Sequence, residues 1–355
     1  MPTAGQLYAP RGVWLDDDRL IVADTGNHRL LIWHGWPDAD HLDADVVLGQ
    51  AAFDREGAQA DGRGPENGVN LPTGVVVVDG RLVVADAWNH RLLIWDVVPE
   101  RSDTPPDLVI GQPDASSVAE NRGEGCGPLG FYWPFGVGVV GGRFWVADTG
   151  NRRVLGWDDV PQPDQAPSVV LGQPDAHQRD ENRGGLSASS FRWPHAVCGT
   201  DDRLLVADAG NHRLLGWTPV PDTDRDADLV LGQPDFAHGG EFPYAPQTAS
   251  GLRFPYAAVV CDPVPGGAAG DGQRRLIVAD TANNRVLVWD DLPAEIAAPA
   301  DRVLGQPDMA ANGENRWDLV TFDTFCWPYG LATCGNRIAV ADSGNNRVVV
   351  WELER

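Results

Sequence analysis

The chain has 355 residues, 27 arginines, no lysine, 51 acidic residues and a formal net charge of −24. Such a surface repels phosphate backbones and anionic headgroups, so nucleic acid and membranes are not expected partners; cations and basic protein patches remain open. The 41 glycines and 28 prolines fit many turns between short strands. Five cysteines without CxxC spacing read as reduced thiols. The start, MPTAGQLYAPRGV, has no basic segment and no apolar h-region, and no transmembrane span is evident, so a cytoplasmic location is expected.

From the N-terminus, four short apolar runs follow one another: PRGVWL (10–15), a run ending in VAD (22–24), RLLIW (29–33) and VVLGQ (46–50). They are bounded by turn residues, which predicts four antiparallel strands over about 7–50. The pattern returns over about 69–112, 131–173, 191–233, 252–306 and 325–355. The aspartates of VAD fall at 24, 86, 148, 208, 280 and 342, at intervals of 62, 62, 60, 72 and 62. Repetition on this scale dictates the fold. An all-β, six-bladed β-propeller of four-stranded antiparallel blades is predicted, as one domain over 1–355. The last repeat shows only three runs. Either residues 2–6 supply its missing outer strand, or that blade has three strands.

The best-kept phrase is VADTGNHRLLIW (22–33), repeated at 84–95, 146–157, 206–217, 278–289 and 340–351. Its Asp can accept turn N–H bonds. Gly26, Gly150, Gly210 and Gly344 are expected to supply positive φ, and Asn27 and its equivalents to tolerate the left-handed region. Each Arg (29, 91, 153, 213, 285, 347) is expected to form a bidentate pair with an Asp. Trp33, Trp95, Trp157, Trp217, Trp289 and Trp351 should fill the space between neighbouring blades. A set copied six times is scaffold, so function belongs where the copies differ.

The P-x-G-V start followed by V-A-D-x-x-N-x-R resembles the NHL-repeat family, and the VLGQPD element looks like a bacterial subset of it. The resemblance covers the whole chain. It implies a mixed set of roles, from protein- and RNA-binding modules to receptor sensor domains and a peptide-amidating lyase, so it does not select a function.

The residue inside P-x-G does vary: Arg11, Thr73, Phe135, His195, Tyr256 and Tyr329. These six should ring one mouth of the central channel, with small residues behind them where backbones crowd the axis. They form a mixed, mostly aromatic cup suited to a small anionic or aromatic ligand, or a plug that fills the channel. Five long connections (51–68, 113–130, 174–190, 234–251, 307–324) share that face. Loops of this length are often functional. Glu66-Asn67, Glu120-Asn121, Glu181-Asn182 and Glu314-Asn315 recur in them as a loop clamp. Leu71, Trp133, Trp193, Phe254 and Trp327 are expected beneath the loops. The opposite face carries acidic loops at 36–45 and 221–228, and 262–273 is an added hairpin.

No cofactor is predicted, although a divalent cation stays open. His177, His195 and His238 are the candidates for a zinc site, whereas His28, His90 and His212 lie too far apart to share one metal. Cys198, Cys261 and Cys334 are expected on innermost strands, Cys126 and Cys326 in loops, all as ordinary buried thiols; a nucleophilic Cys beside His195 is the alternative. The expected function is a binding or assembly scaffold whose looped face meets a protein partner. The alternative is a lyase, a hydrolase or a small-ligand binder centred on the channel mouth.

Overall fold

Short β-branched runs separated by tight turns pair with their nearest neighbours in sequence, and each repeat closes into one antiparallel sheet. Blade one is Gly12–Leu15, Arg19–Asp24, Arg29–His34 and Val46–Leu48, hydrogen-bonded in that order. Four more four-stranded sheets follow the same order. The computed structural model describes residues 1–37, 39–241, 246–261 and 274–352, so the 262–273 hairpin lies outside the described residues. The six innermost strands begin at Gly12, Pro72, Pro134, Pro194, Pro255 and Pro328. Each packs on the next around a closed ring, blade six against blade one.

The core is six clusters, each shared by two adjacent blades. Leu30, Ile32 and Val46 of blade one meet Leu82, Val84 and Trp95 of blade two. Val22 and Trp33 of blade one meet Ala332, Ala339 and Ala341 of blade six. The tryptophan ending each third strand sits in one such cluster, as the sequence predicts. In the first five blades its Nε1–H donates to a carbonyl of the loop that follows: Leu42, Thr104, Gln165, Arg225 or Ala298. The ring thus buries both the apolar body and the polar tip of the indole.

The repeated phrase builds a buried node. Asp24 Oδ2 accepts from Asn27 Nδ2 and Arg29 Nε, and Oδ1 accepts the backbone N–H of Tyr8. Arg29 Nη1 donates to the Phe53 carbonyl and Nη2 to those of Thr3 and Gln6. The same bonds recur around Arg91, Arg153, Arg213 and Arg285. All six Arg–Asp contacts run through Nε at 2.7–3.0 Å. The expected bidentate pairing is therefore not what forms: one guanidinium edge is spent on loop carbonyls. Burial pushes the Asp86 and Asp148 carboxyls up, and the Arg, Asn and backbone donors draw them back down. Every partner is a donor, so the ionised carboxylate is the form that fits.

The turn differs from expectation too. Thr25–Asn27 is one turn of 3-10 helix, and the left-handed residue is the next one, His28 at φ 52°. His90, Arg152, His212, Asn284 and Asn346 occupy the equivalent places. Neither Asn27 nor Gly26 has positive φ. Gly26 is required by space instead: a Cβ there would lie 2.7 Å from the Tyr8 carbonyl oxygen.

Blade six has three strands among the described residues, Pro328–Cys334, Arg337–Asp342 and Arg347–Glu352. Residues 2–6 are not its outer strand. Their carbonyls at Thr3 and Gln6 take Arg29, as those of Pro65 and Gly68 take Arg91, so they are the tail of a loop leading into blade one.

Removing a node should be costly. Arg153→Met leaves Asp148 buried without its cation and three carbonyls without donors. We expect a loss of about 3–5 kcal/mol in urea unfolding. Arg347→Met, whose side chain is already 27% exposed, should lose clearly less. Equal losses would contradict the node's dependence on burial.

Candidate functional site

In blades two to six the pairing between the first two strands skips the residue inside P-x-G. Pro194 pairs with Asp208 and Ala196 with Ala207, so His195 is bulged; Tyr256 and Tyr329 are skipped in the same way. A bulge re-aims its side chain, here toward the axis. The residue that follows must be small. A Cβ on Gly12 would fall 1.8 Å from the Thr73 carbonyl oxygen, and one on Gly136 2.3 Å from that of His195.

All six residues line one mouth of a central cavity of about 310 Å³ whose walls are the innermost strands. Five form a continuous arc. Phe135 and His195 have ring centroids 4.5 Å apart, His195 and Tyr256 4.4 Å, and Tyr256 and Tyr329 4.6 Å with planes 20° apart. The Arg11 guanidinium lies 4.7 Å over the Tyr329 ring. Thr73 is buried, its hydroxyl donating to the Phe135 carbonyl at 3.1 Å. The arc is a collar of touching rings, tilted at His195 and stacked at Tyr256–Tyr329, with Arg11 at one end and Phe135 at the other.

His195 Nδ1 lies 2.9 Å from the Trp193 carbonyl oxygen, so Nδ1 carries the proton and Nε2 the lone pair. Desolvation lowers its pKa to about 4, helped by the Arg11 charge and opposed by that hydrogen bond. Desolvation also raises the Tyr256 phenol, with Tyr329 adding to it. The mouth is therefore a neutral imidazole and a neutral phenol beside one cation near pH 7. Cys198 lines the cavity, and burial pushes its thiol up to about 12. That is opposite to the direction an activated nucleophile requires.

His177 and His238 do not join His195. His177 is exposed, and His238 Nδ1 is 2.6 Å from Asp235 on an exposed loop. Among the described residues no three His, Cys, Asp or Glu side chains converge on a metal position. Burial raises the Cys126 and Cys326 thiols, and none of the five cysteines is in a disulfide.

Around the mouth runs a second ring that the sequence reading missed in its conformation. Leu71, Trp133, Phe254 and Trp327 precede the strand prolines with φ of 48–52°. This is strained for a residue before proline. Each is latched to the preceding blade: its N–H donates to His28 Nδ1, His90 Nδ1, His212 Nδ1 or Asn284 Oδ1 at 2.9–3.2 Å. Ala9, φ 47°, does the same to Asn346. Blade four breaks the pattern. The turn before it carries Arg152, which offers no acceptor, and Trp193 keeps ordinary φ and donates to Asp208 instead. Arg152 donates to Gly150 and Arg179 carbonyls, beside Glu120, Tyr132 and Glu181.

The long loops are fastened by amides. Asn121 and Asn151 exchange side-chain bonds of 2.8 and 3.1 Å, as do Asn182 with Asn211 and Asn315 with Asn345. Blade two departs from the expected clamp. Gln59, not Asn67, reaches Asn89, and Asn67 bonds the Arg63 carbonyl. Trp133, expected beneath a loop, stacks on Trp88 at 5.1 Å on this face, and Trp88 and Trp327 are 40% and 38% exposed.

Comparisons agree with this architecture. The NHL repeat model matches residues 7–33, 69–95 and 325–351. The chain is similar to NHL repeat-containing protein 2 of Homo sapiens, 24% identical over 98% of this chain and 47% of that protein. It is 25% identical to the Gallus gallus protein over 95% of this chain and 45% of that one. The chain thus spans about half the length of the curated relatives it matches. An auxiliary nutrient binding protein from Bacteroides thetaiotaomicron superposes with TM-score 0.53 at 10% identity, covering 99% of this chain and 70% of that one. This likeness is one of fold.

The latches make stability depend on acid. His212 must be neutral to accept from Phe254, and burial holds its pKa at about 4 against an ordinary 6.5. Between those values the unfolded chain binds a proton that the folded chain does not. Stability is therefore lost as pH falls from about 6.5 to about 4, by roughly 3 kcal/mol for this residue. His212→Asn keeps an acceptor, as Asn284 does, and removes the titration. We expect a flatter Tm-against-pH curve across that window; a curve parallel to the parent's would refute the latch.

Proposed function

We propose, on the premise that the chain is an NHL-repeat propeller, that it is a binding scaffold whose loop-bearing face takes a protein partner. NHL-repeat propellers are commonly used for protein interaction. The observation that carries the reading is the rim of aromatic and arginine side chains around the mouth, with Trp133 held at φ 51°. Trp88 stacks on Trp133, Tyr132 lies 4.5 Å from Trp133, and Arg192 lies 4.8 Å over Trp193. Half-exposed tryptophan, tyrosine and arginine side chains are the anchors that dominate protein interfaces. The latches and amide clamps hold them in place before a partner arrives, which reduces the ordering cost of binding. The net charge of −24 favours a partner with a basic contact surface.

A second reading has one favouring observation. The cavity behind the collar is of small-ligand size, and Arg11 with neutral His195 and Tyr256 would suit an anionic or aromatic molecule.

To test the first, the tagged protein captures its partner from its native cells, and the isolated pair is titrated. Trp88→Ala with Trp133→Ala should weaken binding by about 30-fold or more. Unchanged affinity rejects the looped face. For the second, native mass spectrometry should show a small molecule that co-purifies with the parent and is lost in Arg11→Ala. A parent that carries no such mass rejects that reading.

A further inference from the structure

The collar at the channel mouth is a ring with one place open. In blade order its members are Arg11, Thr73, Phe135, His195, Tyr256 and Tyr329. Rings touch from Phe135 through His195 and Tyr256 to Tyr329, and the Arg11 guanidinium covers the last of them. Between Arg11 and Phe135 stands Thr73, whose short side chain is buried with its hydroxyl on the Phe135 carbonyl. Among the described residues Phe135 has His195 as its one ring neighbour, and Arg11 has Tyr329. The second position therefore has no ring to continue the arc, and the cavity reaches it.

The charge beside that open place is unmatched as well. Among the described residues Arg11 makes no ion pair and no side-chain hydrogen bond, and its Nε is buried without a partner. The chain has 51 acidic residues, yet among the described residues no Asp or Glu lines the cavity. His195 and Tyr256, its neighbours along the collar, are neutral near pH 7. One cation without a counter-ion suits one negative charge. A second charge on the ligand would meet no cation at the mouth, in a protein of net charge −24. Further along the innermost strands the walls include Trp14, Val76, Val139, Val259 and Leu331, which suits an uncharged body.

We propose that the mouth binds a small aromatic carboxylate, planar and singly charged, as the missing member of the collar. Its carboxylate faces the Arg11 guanidinium, whose planar fork matches two carboxylate oxygens. Its ring lies against Phe135 at the place Thr73 leaves open, in the offset or edge-to-face contact that aromatic pairs adopt. Arg11 is already held over Tyr329, so little ordering is needed on binding. The inference rests on the small-ligand reading of the cavity and narrows it: charge and aromaticity are required together.

The test titrates the 1–355 protein at pH 7 with three probes, followed by saturation-transfer NMR of the probe protons. Benzoate is planar and charged, benzamide planar and uncharged, cyclohexanecarboxylate charged and not planar. We expect benzoate to saturate one site, with benzamide about tenfold weaker. Cyclohexanecarboxylate should be about fivefold weaker. Inorganic phosphate in excess, at matched ionic strength, should leave benzoate bound. Arg11→Met should bring benzoate down to the level of benzamide, and Phe135→Leu to that of cyclohexanecarboxylate, with thermal melting to check folding. The parent's selectivity decides the matter even where a variant misfolds. Equal binding of either control probe, displacement by phosphate, or no saturation by any probe overturns the proposal. A co-purifying mass lost in Arg11→Ala would then keep the cavity as a ligand site of another class; without that mass, the small-ligand reading falls with it.

Discussion

The structure depends on one arrangement repeated around the ring: a buried guanidinium whose Nε faces an aspartate while its other nitrogens hold loop carbonyls. A charge taken out of water is tolerable only when every hydrogen-bonding position is filled. Arg91 meets that condition by reaching Asp86 within its own hairpin, Pro65 and Gly68 in the loop before the blade, and Ala115 in the loop after it. Three segments distant in sequence are thereby fixed to one planar cation. The geometry of that cation explains why the chain uses arginine here, since an ammonium has no fixed fork to serve two loops at once.

Nodes of this kind fasten each blade's hairpin to the loops on either side of it, and the tryptophan clusters pack neighbouring blades together. Packing between blades is apolar and generic, whereas the mouth is built from particular contacts. The bulge turns one side chain per blade inward, and the small residue behind it lets neighbouring backbones approach. The bulged position is where arginine, imidazole and phenols stand. Blade four shows how a single change propagates. Arg152 offers no acceptor, Trp193 keeps ordinary backbone angles, and the Trp193 carbonyl lies 2.9 Å from His195 Nδ1.

Strand order, blade count, the inter-blade tryptophans and the ring of six mouth residues were legible in the sequence, because each follows from a local pattern repeated at a fixed interval. The misreadings share a cause. Which turn residue is left-handed depends on Leu71, 43 positions beyond His28, and on the Tyr8 carbonyl crowding Gly26. Whether Arg29 is bidentate depends on Thr3, Gln6 and Phe53. Asn67 resembles Asn121 in its neighbours along the chain, yet Gln59 holds its place in space. Residues 2–6 carry a Gly-Gln like that of a fourth strand, and only the bonds to Arg29 reveal them as loop. Contacts between distant segments decide each case, and a single sequence does not display them.

The side chains that latch one blade to the next are not uniform. Histidine serves the seams between blades one and two, two and three, and four and five. Asparagine serves both seams of blade six. An amide acceptor does not titrate, so blade six is joined to its neighbours by fastenings that mild acid leaves intact. Acidification would therefore loosen the wheel at the three histidine seams, away from its closure.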